Sequence, residues 1–243
     1  MKTAIVSGTS YGIGKSIATM LLGINFKVYG ISRTKPLINN KNFYWIKADL
    51  LDQKDINKIN GLIKESKVDI LINNAGTHIE ELALSTSTDT FNHLFGLNFL
   101  APIFLTKSLA QKLSNGIVIN ISSTSDRFAE KGSGLYCASK AALEIFFEAL
   151  AIENKNIKVI NILPSYVDTP LQHKVSDNKD FDWKQCTTPD QVAGLVRDLI
   201  EERFGTPSGS KVMVLNSKTL SDTREPEKLY FYNVDTKEFK KIK

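Results

Sequence analysis

The sequence predicts an α/β fold: a doubly wound, seven-stranded parallel sheet flanked by helices. Three observations carry that expectation. Short β-branched runs alternate with helix-period segments along most of the chain. A glycine-rich turn follows the first such run, at Gly8, Gly12 and Gly14. The runs at 68–72 and 116–121 are near-continuously apolar, as strands buried on both faces of a parallel sheet are. At 243 residues with 42% hydrophobic content, the chain suits one large domain better than two small ones. Residues 3–215 form its expected core and 216–243 a C-terminal extension.

The elements follow in order. Residues 3–7 read as a strand, and Gly8-Thr9-Ser10-Tyr11-Gly12-Ile13-Gly14 leads from it into a helix with Ile17, Ala18, Leu21 and Leu22 on its apolar side. Glycines let backbone approach a ligand closely, and the helix N-terminus offers unpaired N–H groups and a positive dipole end to a pyrophosphate. A second strand, 27–31, ends in Ser32-Arg33-Thr34-Lys35. NAD-binding proteins place an acidic residue here for the ribose 2′-hydroxyl, whereas a nearby arginine accommodates a 2′-phosphate, so Ser32 and Arg33 favour NADP(H) over NAD(H). A third strand, 43–48, delivers Asp49 and Leu50. Asp49 is placed to receive an adenine amino group, to cap the helix at 52–65, or both at once, with Asp52 the better-placed cap.

The strand at 68–72 ends in Asn73-Asn74-Ala75-Gly76, small polar residues under which a cofactor can lie. Residues 88–112 read as one helix with Phe91, Leu94, Phe95, Phe99 and Leu105 as its stripe, and Asn98 falls within it. An amide buried there needs partners, since leaving it unpaired costs about 1–3 kcal/mol. A structural hydrogen bond and a place in a proton relay both answer that need. The strand at 116–121 delivers Ser122 and Ser123 to its carboxyl end, the edge at which open parallel sheets bind ligands. A sixth strand, 158–163, leaves through Pro164-Ser165-Tyr166-Val167-Asp168-Thr169-Pro170. Residues 171–188, with Phe181 and Trp183, are a substrate lid or a plain connection. A helix at 189–203 and a strand at 211–215 complete the core.

Composition excludes several classes. No run is long enough to span a bilayer and residues 1–6 lack a signal-peptide layout, which leads us to expect a soluble cytoplasmic protein. Cys137 and Cys186 are too few for a disulfide framework and have no metal-ligand spacing; no metal is expected. The net charge of +5 suits an anionic ligand, but the lysines are dispersed rather than clustered, and no nucleic acid is expected.

Tyr136 and Lys140 stand four residues apart at the head of the helical run 141–150, which puts a phenol and an ammonium on one face. A cation beside a phenol favours the phenolate and brings the group towards proton exchange at neutral pH. The pair is then a general acid and base, or else a surface tyrosine and a solvated lysine.

Taken together, the glycine turn, the Asn73-Asn74-Ala75-Gly76 tetrad, Ser123, and Tyr136 with Lys140 resemble the short-chain dehydrogenase/reductase family over about residues 3–215. The resemblance implies a Rossmann fold and hydride transfer between a nicotinamide and a small-molecule carbonyl or secondary alcohol. It makes Asn98, Ser123, Tyr136 and Lys140 the catalytic residues; Ser123 is taken over Ser122 because it stands 13 residues before Tyr136, the usual separation in that family. It places the cofactor on Gly8, Ser10, Tyr11, Gly12, Ile13 and Gly14; on Ser32, Arg33, Asp49 and Leu50; on Asn74, Ala75 and Gly76; on Tyr136 and Lys140; and on Pro164, Val167 and Thr169. It implies a homodimer or homotetramer joined through the helices carrying Asn98 and Tyr136.

The chain departs from the family pattern twice. Ser165 replaces the glycine common after that proline, and serine does not take positive φ cheaply, so the loop to Thr169 is expected to run differently. The terminal Gly-Gly is absent; 229–234 and 238–242 read instead as a β-hairpin or a basic tail. A second function stays open, a protein that binds NADPH on this fold and regulates a partner without turnover. Retention of all four catalytic residue types favours the enzyme. The lid's residues follow no pattern that names a substrate.

Overall fold

Why these residues form a sheet is plain in β1 (Thr3–Ser7), whose five positions are all buried. A strand with neighbours on both sides and helices over both faces has no solvent side, and a continuous apolar run is the composition it requires. The computed structural model describes residues 1–126, 131–175, 183–216 and 229–241. Its strands β1, β2 (Lys27–Ser32), β3 (Phe43–Lys47), β4 (Ile70–Asn73), β5 (Gly116–Ile121), β6 (Ile157–Pro164), β7 (Ser210–Leu215), β8 (Leu229–Asn233) and β9 (Phe239–Lys241) form one sheet. They run in the order β3-β2-β1-β4-β5-β6-β7-β8-β9. Every neighbouring pair is parallel except β8 and β9. Chain order reverses between β1 and β4, which opens a crevice at the carboxyl ends of those strands.

Helices cover both faces. Ile17 and Leu21 of α1 (Gly12–Gly23) and Val192 and Val196 of α7 (Pro189–Ile200) pack on one side with Val6, Ile72, Ile119 and Ile162 of the sheet. On the other lie Ile56 and Ile59 of α2 (Gln53–Leu62), Leu105 and Leu109 of α4 (Ala101–Leu109), and Leu143 and Phe147 of α5 (Gly134–Glu153). The helix starts are locally encoded. Asp52 caps α2, its carboxylate accepting from Lys54 N–H, and Thr188 with Gln191 forms a reciprocal capping box on α7. No helix among the described residues is long and apolar enough to cross a membrane.

The structure departs from the sequence reading in three places. Among the described residues the sheet has nine strands rather than seven, because β8 pairs with β7 in parallel and β9 returns along it antiparallel. Tyr232 is buried with its hydroxyl on Asp198, and the Phe239 ring stacks at 4.4 Å on Phe204. The hairpin therefore completes the sheet's edge; Ile242 lies outside the described residues. The helix expected at 88–112 is broken: α3 (Thr88–Phe95) passes through a π-helical turn, Gly96–Leu100, into α4. The extra residue in that turn shifts the stripe of the segment after it; Leu94 before the turn and Ala101 and Leu105 after it are buried, and Phe91 is exposed. Lastly, α7 ends at Ile200, short of Arg203.

Candidate active site

The crevice begins at the glycine turn. Gly8 has φ of +74°, and a Cβ there would meet Asn74 Nδ2 at 2.7 Å and Ala75 Cα at 2.9 Å. A Cβ on Gly14 would lie 2.3 Å from both Asn74 Nδ2 and Gly8 O. Asn74 is the clamp: its Nδ2 donates to Ser7 O and Gly8 O, and its backbone N–H donates to Ser7 Oγ. The turn is thereby fixed against the end of β4. Tyr11, the N-cap of α1, makes no side-chain cap hydrogen bond, and the helix has no acidic residue in its first turn. The N–H groups there are left for a ligand.

Gly8, Ser10, Tyr11, Gly12, Ile13, Ser32, Arg33, Asp49, Leu50, Asn74, Ala75, Gly76, Tyr136, Lys140 and Thr169 all line one cleft. Gly14, Pro164 and Val167 do not, and of the expected catalytic residues neither do Asn98 and Ser123; Gly14 supports the turn from behind, and Val167 is buried in a bridge to Thr187. At the cleft's far end Arg33 is 67% exposed, and its Nη1 sits 4.0 Å from Asp49 Oδ2. Ser32 turns inward, its hydroxyl donating to Thr34 O. Asp49 accepts from Leu51 N–H, and the capping falls to Asp52. Ser165 is not among the residues at positive φ, so the loop accommodates serine without strain and brings Thr169 within 3.3 Å of a Cβ placed on Gly12.

At the other end stand the residues of acid–base chemistry. Lys140 is 5% exposed and donates from Nζ to Ile121 O at 3.0 Å, with the Tyr136 ring centroid 5.8 Å away. Burial pushes this lysine down to about 8, against the pull of the Glu144 carboxylate. Asn98 lies in the π-helical turn with its amide fully engaged. Its Oδ1 accepts from Thr77 N–H, and its Nδ2 donates to Thr77 O and Ser139 Oγ. Ser139 in turn donates to Tyr136 O. Asn98 thus ties the end of β4 to the helix that carries Tyr136. Ser122, which lines the cleft, donates its proton to the Glu144 carboxylate, whereas Ser123 Oγ, next along the chain, accepts from Ser125 N–H and keeps its own proton to give.

Two residues here escaped the sequence reading. His78 stacks on the Tyr136 ring, centroids 4.1 Å apart, and pairs with Ser133 Oγ at 3.0 Å. Burial, then the Lys140 charge, holds its pKa below the ordinary histidine value. The signal was its place two residues after the Asn73-Asn74-Ala75-Gly76 tetrad, at the edge where the strand delivers its chain. Glu144 is the other, a carboxylate one turn beyond Lys140 between the apolar Leu143 and Phe147. Of the expected lid, Phe181 lies outside the described residues; Trp183 stacks on His173 at 4.0 Å.

Residues 2–180 match the family model of the short chain dehydrogenases. A benzil reductase ((S)-benzoin forming) of Bacillus subtilis is 30% identical, the alignment covering 86% of this chain and 96% of that one. A 3-oxoacyl-acyl-carrier-protein reductase of Buchnera aphidicola is 29% identical over 88% of this chain and 95% of its own. Among solved structures, a short chain dehydrogenase family protein of Francisella tularensis superposes with a TM-score of 0.80 at 26% identity, covering 88% of this chain and 96% of that one.

Proposed function

The chain belongs to the short-chain dehydrogenase/reductase family of oxidoreductases, and from that premise we propose that it is an NADP(H)-dependent enzyme interconverting a small-molecule carbonyl and its secondary alcohol, with Tyr136 as general acid and base. The observation that carries this reading is that Tyr136 and Lys140 line the same cleft as the uncapped N-terminus of α1. The residues present fit a dinucleotide: a backbone turn too tight for any side chain at Gly8 or Gly14, N–H groups free at a helix start, and a cation at the mouth. The preference for NADP(H) rests on Ser32 and Arg33, since β2 ends without an acidic residue and, among the described residues, the guanidinium is held by an exposed, long pair to Asp49.

The bound nicotinamide supplies the hydride. Tyr136 gives its phenolic proton to the carbonyl oxygen in reduction and takes it back in oxidation. Ser123 donates a second hydrogen bond to that oxygen, its acceptor side already occupied by Ser125 N–H. The Lys140 ammonium favours the phenolate and, lying at the cleft floor, binds the nicotinamide ribose. Asn98 keeps Thr77 and, through Ser139, the Tyr136 backbone in register.

The test is NADPH absorbance with a panel of ketones, aldehydes and diketones, the last prompted by the benzil reductase relative. Substrate-dependent loss of NADPH supports the enzyme. Tight NADPH binding with no consumption across the panel would sink it and favour the regulatory alternative.

A further inference from the structure

Glu144 has no part in the chemistry above, yet it is fully buried beside it. We propose that Glu144 is a positioning residue for the proton-transfer pair, its carboxylate keeping Lys140 protonated and thereby Tyr136 poised for exchange. This rests on the function proposed for Tyr136 and Lys140. Glu144 follows Lys140 by one turn of α5, so both side chains leave the same helix face. Ser122, at the end of β5, donates to one carboxylate oxygen, and Lys211 Nζ, from β7, lies 3.3 Å from the other. Lys211 is also 2.8 Å from Glu148, which faces it from the next turn of α5. Asn161 Nδ2, from β6, donates to the Glu144 backbone carbonyl at 3.5 Å.

Among the described residues Glu144 and Glu148 meet the Lys211 ammonium, and Lys140, its Nζ held on Ile121 O beside the Ser122 that donates to Glu144, is a second cation close by. A buried carboxylate also costs several kcal/mol unless paired, a cost that a leucine in the same space avoids. Packing alone therefore does not explain glutamate at this position, whereas holding a charge on a 5%-exposed lysine does. The electrostatics point the same way: burial lowers the Lys140 pKa and the Glu144 carboxylate opposes that fall. Lys211 is lowered by burial and raised beyond it by Glu144 and Glu148. On its other side Lys140 faces Tyr136 and His78, and burial together with the Lys140 charge favours the neutral imidazole. Glu144 is then the carboxylate that sustains the ammonium.

The experiment uses Glu144→Gln, which retains an acceptor for Ser122 but removes the charge, with Glu144→Asp as the conservative control and Lys211→Met as a variant that removes the cation on the carboxylate's far side. Lysine labelled with carbon-13 lets NMR follow the Lys140 midpoint in the protein without cofactor, and the pH profile of kcat is recorded for carbonyl reduction. We expect the Lys140 midpoint to fall by about 1 pH unit or more in Glu144→Gln, as loss of an opposite charge within reach of a titrating group does. The alkaline limb of kcat should move to lower pH with it. Lys211→Met, which takes a neighbouring positive charge out of the same group, should move both the other way, to higher pH, and Glu144→Asp should restore both. A lower Tm or lower kcat with midpoint and limb unmoved would make Glu144 merely structural and overturn the proposal. Should the wild type reduce no carbonyl, the functional reading fails, and the NMR midpoint alone still decides the role of Glu144.

Discussion

Replacing Lys140 by methionine should abolish turnover and make the protein more stable. The ammonium is 5% exposed, and its pKa falls from 10.5 to about 8 on folding. That fall corresponds to about 3 kcal/mol of folding free energy, at about 1.4 kcal/mol per pH unit. The sign follows from proton counting. Below about 8 the lysine is charged in both states, and the folded state bears the full burial cost. Between about 8 and 10.5 the unfolded chain binds the proton that the folded chain has released, so wild-type stability rises with pH, and above 10.5 the cost is gone. Methionine fills a similar volume without charge but loses the hydrogen bond to Ile121 O, about 1 kcal/mol. A net gain of about 2 kcal/mol at pH 7 remains, or about 0.7 M urea at a slope near 3 kcal/mol per M. Urea unfolding of cofactor-free protein, followed by circular dichroism at pH 7 and pH 10.5, reads this directly. The gain should be present at pH 7 and absent at pH 10.5. A Lys140→Met protein less stable than wild type at pH 7, or equally stabilised at both pH values, would refute the argument that a buried charge is held there against stability.

Three further outcomes are expected. Gly14→Ala places a methyl 2.3 Å from Asn74 Nδ2 and Gly8 O, so the turn must open; calorimetry should show a loss of at least tenfold in dinucleotide affinity and a destabilisation of about 2 kcal/mol or more. Arg33→Ser should raise KM for NADPH about tenfold with little change for NADH, and equal changes for both would defeat the argument from Ser32 and Arg33. Leu100, Ile145, Phe146 and Ile152 stand exposed on the helical segments carrying Asn98 and Tyr136, where we place the homodimer or homotetramer contact. Light scattering should therefore give an oligomer that Ile145→Glu dissociates; a wild-type monomer would contradict it.

The parts legible in the sequence were those encoded within a few residues of one another. Asp52 and Thr188 stand directly before helical runs, and Gly8, Gly12 and Gly14 follow a strand, so turn and helix start are written locally. Tyr136 and Lys140 share a face through helix geometry alone. What escaped depends on distant partners. Nothing near Glu144 announces Ser122 or Lys211, which the sheet brings from β5 and β7. The hairpin's strand character was readable from its aromatics, but its parallel seat on β7 is a matter of which edge was free. The π-helical turn at Gly96–Leu100 defeats a reading that assumes one period throughout, and Asn98 is buried within it.

The central claim is that Tyr136 carries the proton while the rest of the cleft holds the cofactor. Tyr136→Phe tests it most directly, because only the phenolic oxygen is removed and the ring stacked on His78 is kept. With a carbonyl that the wild type reduces, turnover should fall by at least a hundredfold while NADPH still binds within about threefold of wild type by fluorescence titration. A Tyr136→Phe protein that keeps most of its turnover would contradict the account.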